Sequence, residues 1–149
     1  MADNIVWKRV RHFQSIEFND PNHPGSGIWI NGILLMRLDV LRHDTNWPII
    51  PHAAVGGCVD MEGTHEHSTN SYHLKSNGCK ACDFHFITDA SPRRQYYEVS
   101  RMGFGGLGAY YDWNWKGRKL LIGFHVDVRP SDKTQRWKRI DGQYIYLLN

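Results

Sequence analysis

Lys80-Ala81-Cys82-Asp83-Phe84-His85-Phe86-Ile87 alternates small or polar side chains with apolar ones. A two-residue period is that of a half-buried strand. Successive side chains of a strand point to opposite faces. Cys82, Phe84 and Phe86 therefore turn towards a core, while Ala81, Asp83 and His85 share the other face. A carboxylate and an imidazole on one exposed strand face are the beginning of a chemical site, and the sequence on either side extends it.

Upstream, residues 61–78 are polar, rich in Gly, Ser, Thr and Asn, and read as a long loop. Loops of this length in compact domains are usually functional or disordered. The chain holds nine histidines, and His65, His67, His73 and His85 crowd into this stretch and the strand after it. Histidine is the commonest protein metal ligand and the side chain that exchanges protons near neutrality. Residues 52–60, small and apolar, read as a buried strand. Further upstream, Ile30, Leu34, Leu35, Leu38 and Leu41 recur at helical spacing, with Arg37, Asp39 and Arg42 mainly on the opposite side. Pro48 and Pro51 close that region.

Downstream, Ser91-Pro92 opens a helix, serine as N-cap and proline in the first turn. Tyr96, Val99 and Met102 give this helix an apolar face, and Gly103 ends it. Residues 107–113 and 119–129 read as strands separated by a turn near residues 114–117, and residues 139–148 as a hairpin around Asp141-Gly142. Helices at the front and strands behind predict an α+β fold, an antiparallel sheet with helices packed on one side. No linker or repeat divides the chain, so residues 1–149 are expected to form a single domain.

Composition narrows the functional classes. Hydrophobic residues make up 41% and charged residues 22%, the balance of an ordinary globular protein. A net charge of +3 suits an anionic wall polymer but is too weak to argue for nucleic acid. The longest apolar runs, such as Ile33-Leu34-Leu35-Met36, are far too short to span a membrane. The opening Met-Ala-Asp-Asn-Ile-Val-Trp-Lys lacks the pattern of a signal peptide, which predicts synthesis in a cytoplasm with release by lysis or a helper. Three cysteines, an odd number, argue against a disulfide framework. Oligomeric state has no signal in the sequence.

Catalytic zinc takes three protein ligands, typically His and carboxylate, and leaves a fourth position for water. His73 in the loop, Asp83 on the strand it leads into and His125 on a second strand can meet over one sheet face. The ordered pattern Ser71-x-His73, Gly78-x-x-Ala81-x-Asp83 and His125-x-Asp127 resembles the zinc D-Ala-D-Ala carboxypeptidase family, which includes VanX-type dipeptidases, phage L-Ala-D-Glu endolysins and proteins of the hedgehog-like fold. Phe13-x-x-x-Glu17-Phe18 and Leu38-Asp39-x-Leu41-Arg42 resemble the opening half of that family. Gly105-Gly106-Leu107-Gly108-Ala109-Tyr110, Phe124-His125-Val126-Asp127-Val128-Arg129 and Arg136-Trp137 resemble the closing half of one subgroup.

The resemblance implies a hedgehog/DD-peptidase-like fold and a zinc ion on His73, Asp83 and His125. It also implies hydrolysis of an amide in a peptidoglycan stem peptide, with Ser71 supporting the site or touching substrate. A phage-encoded chain released at lysis is one setting for such an enzyme. The sequence departs from the pattern in three places. Three extra residues separate His73 from Asp83, so the loop must bulge before Gly78. Ile122 stands where many members carry an acid three residues before the last histidine. The stretch Val59-Asp60-Met61-Glu62-Gly63-Thr64-His65 lacks the family's carboxylate-clamping arginine.

Asp127, at i+2 from His125, is the candidate replacement base or a brace for the ligand ring. His85 is a rival proton carrier, as are His65 and His67. Arg129, Arg93 and Arg94 are candidates for holding a substrate carboxylate. Trp113 and Trp115 are candidates for a saccharide-stacking groove. Two other readings stand beside the enzyme. One is a non-catalytic wall-binding or phage structural protein that keeps the fold and metal. The other, far weaker, is a redox or second metal site at Cys79-x-x-Cys82, where Cys82 more simply packs in the core.

Overall fold

The computed structural model describes residues 2–147. Along the chain run α1 (Asn4–Arg9), α2 (Gly32–Thr45), β1 (Ile49–Pro51), β2 (Ala81–Phe86), α3 (Pro92–Ser100), β3 (Gly106–Tyr110), β4 (Asn114–Trp115), β5 (Arg118–Lys119), β6 (Gly123–Asp127), β7 (Gln135–Ile140) and β8 (Gln143–Leu147), with short 3-10 turns between some of them. Six strands make one open sheet in the order β1-β2-β6-β3-β7-β8, and β4 pairs with β5 as a separate hairpin. All neighbours in the large sheet are antiparallel except β3 and β7. The fold is thus α+β with a mostly antiparallel sheet. Leu148, at the end of the expected final hairpin, lies outside the described residues. Among the described residues no helix is long and apolar enough to cross a membrane.

The alternation in β2 does what its sequence requires. Cys82, Phe84 and Phe86 join Phe124, Val126, Leu107 and Ala109 in one buried cluster with Leu34, Leu35, Leu38 and Leu41 of α2 and Val99 of α3. The Phe84, Phe86 and Phe124 rings lie 5.3 to 5.8 Å apart, at the distances aromatic side chains prefer. Asn31 caps α2 by accepting the N–H groups of Ile33 and Leu34, and Ser91 caps α3 by accepting that of Arg94. Asp141 and Gly142, at φ 48° and 77°, make the tight turn between β7 and β8.

Three expectations are corrected. Asp39 is not on a solvated helix face; it is 5% exposed, and its carboxylate accepts the backbone N–H groups of Arg11 and His12. Residues 52–60 form no strand. Left-handed Gly56 folds them into a 3-10 turn at Ala53–Val55, and Asp60 keeps only an isolated bridge to Leu74. The strand expected over 119–129 is two, β5 and β6, because β5 pairs with β4 in the separate hairpin, continued by the Leu120 N–H on the Trp113 carbonyl, and only β6 joins the large sheet. The helical region does close before Pro48, with α2 ending at Thr45, and the two prolines also flank and end β1, an edge strand, where a missing N–H costs nothing. The bulge expected before Gly78 is present as a 3-10 turn, Lys75–Asn77, closed by Gly78 at φ 93°.

The opposite face of the sheet carries the chemistry. In register across it stand Asp83, His125, Gly108, Trp137 and Tyr146 as one row, and Gly123, Tyr110, Arg139 and Tyr144 as the next. Glycines sit where large neighbours lie flat on the sheet. A Cβ on Gly108 would come within 2.4 Å of Trp137 Nε1, one on Gly106 within 2.4 Å of Asp127 Oδ2, and one on Gly123 within 2.3 Å of Trp113 Cε3. Gly108→Ala must therefore push the Trp137 indole off the sheet. The expected cost is about 1–3 kcal/mol in urea unfolding, with a changed tryptophan emission spectrum. An unaltered midpoint and spectrum would show that the indole does not occupy that space.

Candidate metal centre

β2 and β6 place Asp83 and His125 opposite each other in register. The loop returns His73 to the same spot through the bonds of the Asp60 N–H to the His73 carbonyl and of the Lys80 N–H to the Tyr72 carbonyl. His73 Nε2 lies 3.3 Å from Asp83 Oδ1, and His125 Nδ1 lies 2.8 Å from the same oxygen. Donor atoms of the three residues all fall within 4.8 Å of one another. Two donors about 2.0–2.1 Å from a four-coordinate ion sit about 3.3 Å apart. The His73–Asp83 spacing matches that edge, and the His125–Asp83 spacing needs to open by a few tenths of an ångström.

The outward nitrogens support the same assignment. His73 Nδ1 faces the Cys58 carbonyl at 3.2 Å. A carbonyl only accepts, so Nδ1 donates, and in the neutral ring the lone pair is on Nε2, facing Asp83. His125 Nε2 donates to Asp127 Oδ2 at 2.9 Å, which turns Nδ1 inward. Ligand histidines are oriented in this way by an acceptor on the far nitrogen. A lone pair aimed at a carboxylate is repulsive unless a proton or a cation lies between them, and the donor set therefore fits a divalent ion.

Charges around the group are strongly coupled. Burial opposes ionisation of Asp83, but the His73 and His125 rings outweigh it and hold the carboxyl well below the ordinary range. Burial likewise pushes His125 down, yet its hydrogen bonds to Asp127 and Asp83 win and raise its pKa to about 9. Asp127 is fully buried and is kept ionised, against burial, by Arg129 and His125.

Each expected site residue has a definite place. His73, Asp83 and His125 line one cleft of roughly 800 Å³ together with Ser71 and Arg129. The Ser71 hydroxyl accepts the His73 backbone N–H at 3.3 Å. Asp127 is buried and both its carboxylate oxygens are hydrogen-bonded. Its Oδ2 accepts from His125 and from Arg129 at 2.6 Å, and its Oδ1 accepts from Arg129 Nε at 2.8 Å and from the Arg129 N–H. Arg129 has turned its fork on Asp127, so it is not free to clamp a substrate carboxylate in the same way. His85 does not line the cleft; its Nδ1 lies 2.8 Å from His52 Nε2. Trp113 lines the cleft, stacked on Tyr110 with ring centres 4.1 Å apart, whereas Trp115 is stacked on His52. Cys82 meets Cys58, sulfur to sulfur 3.4 Å, rather than Cys79. Among the described residues no group placed to hold a metal contains a cysteine.

The structure separates His67 from the other candidate proton carriers and adds aromatic residues to the site. His67 lines the cleft, its ring stacked on that of His73 with centres 4.4 Å apart, and its Nδ1 is bonded to buried Asp60 at 2.7 Å. The crowding of histidines signalled it, but only the loop's path selects it. Trp137, Tyr110 and Tyr144 also line the cleft, and period-two counting along β7 from Arg139 would have put Trp137 on the right face. A second group, Asp20, Asp60 and His65, also brings donor atoms within 4.8 Å. Its carboxylates already accept N–H groups from Asn22, Met61 and Gly63 and imidazole nitrogens from His65 and His67. It pins the histidine loop to the chain around Asp20.

Two outcomes follow from these charges. Protein purified without a histidine tag should carry one divalent metal per chain by elemental analysis, and His73→Ala or His125→Ala should lose it. Asp127→Asn should weaken the metal about 10–100-fold. In metal-free protein, the His125 pKa is raised from 6.5 to about 9. Its stabilisation is therefore complete below pH 6.5 and is lost as pH rises through about 9. Thermal melts of metal-free protein should fall over that window more steeply than those of His125→Gln, and equal slopes would remove the ion-pair account.

Compared with known protein families, curated proteins and solved structures, the chain matches none.

Proposed function

We propose that the protein is a zinc-dependent peptidase that hydrolyses an amide bond in a peptidoglycan stem peptide, on a hedgehog/DD-peptidase-like fold. The observation that carries this reading is the convergence of His73 Nε2, Asp83 Oδ1 and His125 Nδ1 within 4.8 Å on the wall of an open cleft. Two imidazoles and one carboxylate are a donor set that suits zinc, and three protein donors leave a position for water. Held there, zinc supplies water ionised near neutral pH and polarises the carbonyl to be attacked.

The chain's own residues do the rest. Cys58 and Asp127 fix the tautomers of His73 and His125, and Arg129 balances the charge of Asp127. His67 spends Nδ1 on Asp60, which leaves Nε2 to carry a proton between water and the leaving amine. Of the cleft imidazoles outside the donor set it is the one stacked on His73, whereas His65 Nε2 is bonded to Asp20 and His52 Nε2 to His85; Asp127 is committed and His85 is outside. The Ser71 hydroxyl and the Tyr72 ring, which also line the cleft, are placed to hold the peptide.

A second reading, a non-catalytic wall-binding protein, is favoured by Ile122. It is 2% exposed in the core, so no acid stands at that position to assist hydrolysis. The two readings part on turnover. With zinc, purified sacculi and a soluble stem peptide should release new amino groups. His73→Ala and Asp83→Asn should abolish release, and His67→Gln should slow it about 10²–10⁴-fold with metal content intact. Zinc-loaded protein that binds sacculi and releases no amino groups would establish the non-catalytic reading instead.

A further inference from the structure

Beyond the cleft, the site face continues onto the β7–β8 hairpin with an unusual set of side chains. Trp137 is paired in register with Tyr146, and Arg139 with Tyr144. Tyr144 is 50% and Tyr146 75% exposed. Trp137 and Tyr144 line the cleft that holds the metal centre, and both also line an adjoining depression with Tyr146 and Arg136. The surface is continuous from His125, whose ring centre is 5.4 Å from that of Trp137. With strands about 4.8 Å apart, Tyr146, three strands out, lies about 14 Å from His125.

Two of the three arginines here are balanced by carboxylates. Arg129 is paired with Asp127 at 2.6 Å and Arg139 with Asp112 at 3.0 Å. Each guanidinium also lies over aromatic rings, Arg129 over Trp137 at 5.4 Å and Arg139 over Tyr144 at 5.5 Å. What the strip offers is therefore mainly flat aromatic surface, tyrosine hydroxyls and N–H donors, with Arg136 at its margin bonded only to the neutral Tyr96 hydroxyl. That complements a neutral, hydroxyl-rich ligand with apolar ring faces, which is the chemistry of a pyranose chain. An extended peptide fits less well. Peptides dock on sheets by pairing with a free edge; β8 is such an edge, but the strip's rings stand on the sheet face across β7 and β8, not along the edge's backbone.

We infer that Trp137, Arg139, Tyr144 and Tyr146 form a saccharide subsite that seats the glycan strand of the wall polymer beside the metal centre. The glycan assignment rests on the peptidase reading; the saccharide chemistry rests on the strip alone. Titration calorimetry with a hexamer of β-1,4-linked N-acetylglucosamine tests it on the intact protein. Wild type should bind, and Tyr146→Ala and Tyr144→Ala should each weaken binding about three- to tenfold. Tyr146→Ala should also slow release from sacculi more than release from a soluble stem peptide.

Absence of hexamer binding by wild type, or equal binding by both variants, overturns the inference. So does a concentration-dependent dimer abolished by these substitutions together with no hexamer binding, which would assign the hairpin to a second copy of this chain. If neither substrate is cut while hexamer binding follows the tyrosines, the peptidase reading fails and the saccharide subsite stands.

Discussion

A single carboxylate oxygen, Oδ1 of Asp83, faces imidazole nitrogens from two distant parts of the chain at 2.8 and 3.3 Å, and much of the surrounding structure exists to make that contact tolerable. Buried charge is expensive unless it is paired and hydrogen-bonded. Here the pairing extends outward in a chain. Asp83 is balanced by His125, His125 is oriented by Asp127, and Asp127 is compensated by the bidentate fork of Arg129. Arg129 in turn stacks against Tyr72 and Trp137 at the cleft wall. Removing any inner member leaves its neighbour as an uncompensated charge, so these residues act as one unit.

Space is the second condition. Asp83, His125 and Asp127 lie on a sheet face that is otherwise crowded with aromatic rings. The central strand β3 gives way to them by presenting glycine at 106 and 108, so that Asp127 and Trp137 occupy volume a methyl group would take. The other face of the same strand presents Leu107 and Ala109 to the apolar core. One strand thus divides its alternation between packing and clearance. The packing side, tied to α2 and α3, holds the clearance side rigid, which is what a site needing sub-ångström donor positions requires.

What was legible in the sequence follows the same division. The alternation in β2 and the spacing of His125 and Asp127 were readable, because a strand's two faces are written directly in its residue order. The helix α2 was readable from its leucines, but Asp39 was not. A buried aspartate that accepts backbone N–H groups from Arg11 and His12 has the same spacing as a solvated one, and only tertiary contact separates them. The turn at residues 53–55 was hidden because small apolar residues suit a strand as well as a turn. Arg129 illustrates the site's limit. Sequence identified a charged fork near the cleft, but the buried Asp127 two residues away claims it first. His67 was one of several loop histidines, and nothing in the loop's composition distinguishes the one that stacks on a ligand from those that do not.

The two His/Asp groups show why convergence alone does not define a metal site. In both, donor atoms come within 4.8 Å. Around Asp20 and Asp60, the carboxylates accept three backbone N–H groups and two imidazoles, so the acceptors are consumed in holding the loop. Around Asp83, the hydrogen bonds run the other way. The ring nitrogens that face outward are the ones tied to protein acceptors, and those that face inward are left against a carboxylate. Such an arrangement is stable only with positive charge at its centre. Protons supply it when they sit on the inward nitrogens, and a divalent cation supplies it by displacing them. Metal uptake at this site is accordingly coupled to proton release, and it weakens as pH falls because the two compete for the same lone pairs. The outer hydrogen bonds to Cys58 and Asp127 are compatible with either occupant. They let the exchange proceed without the rings having to turn.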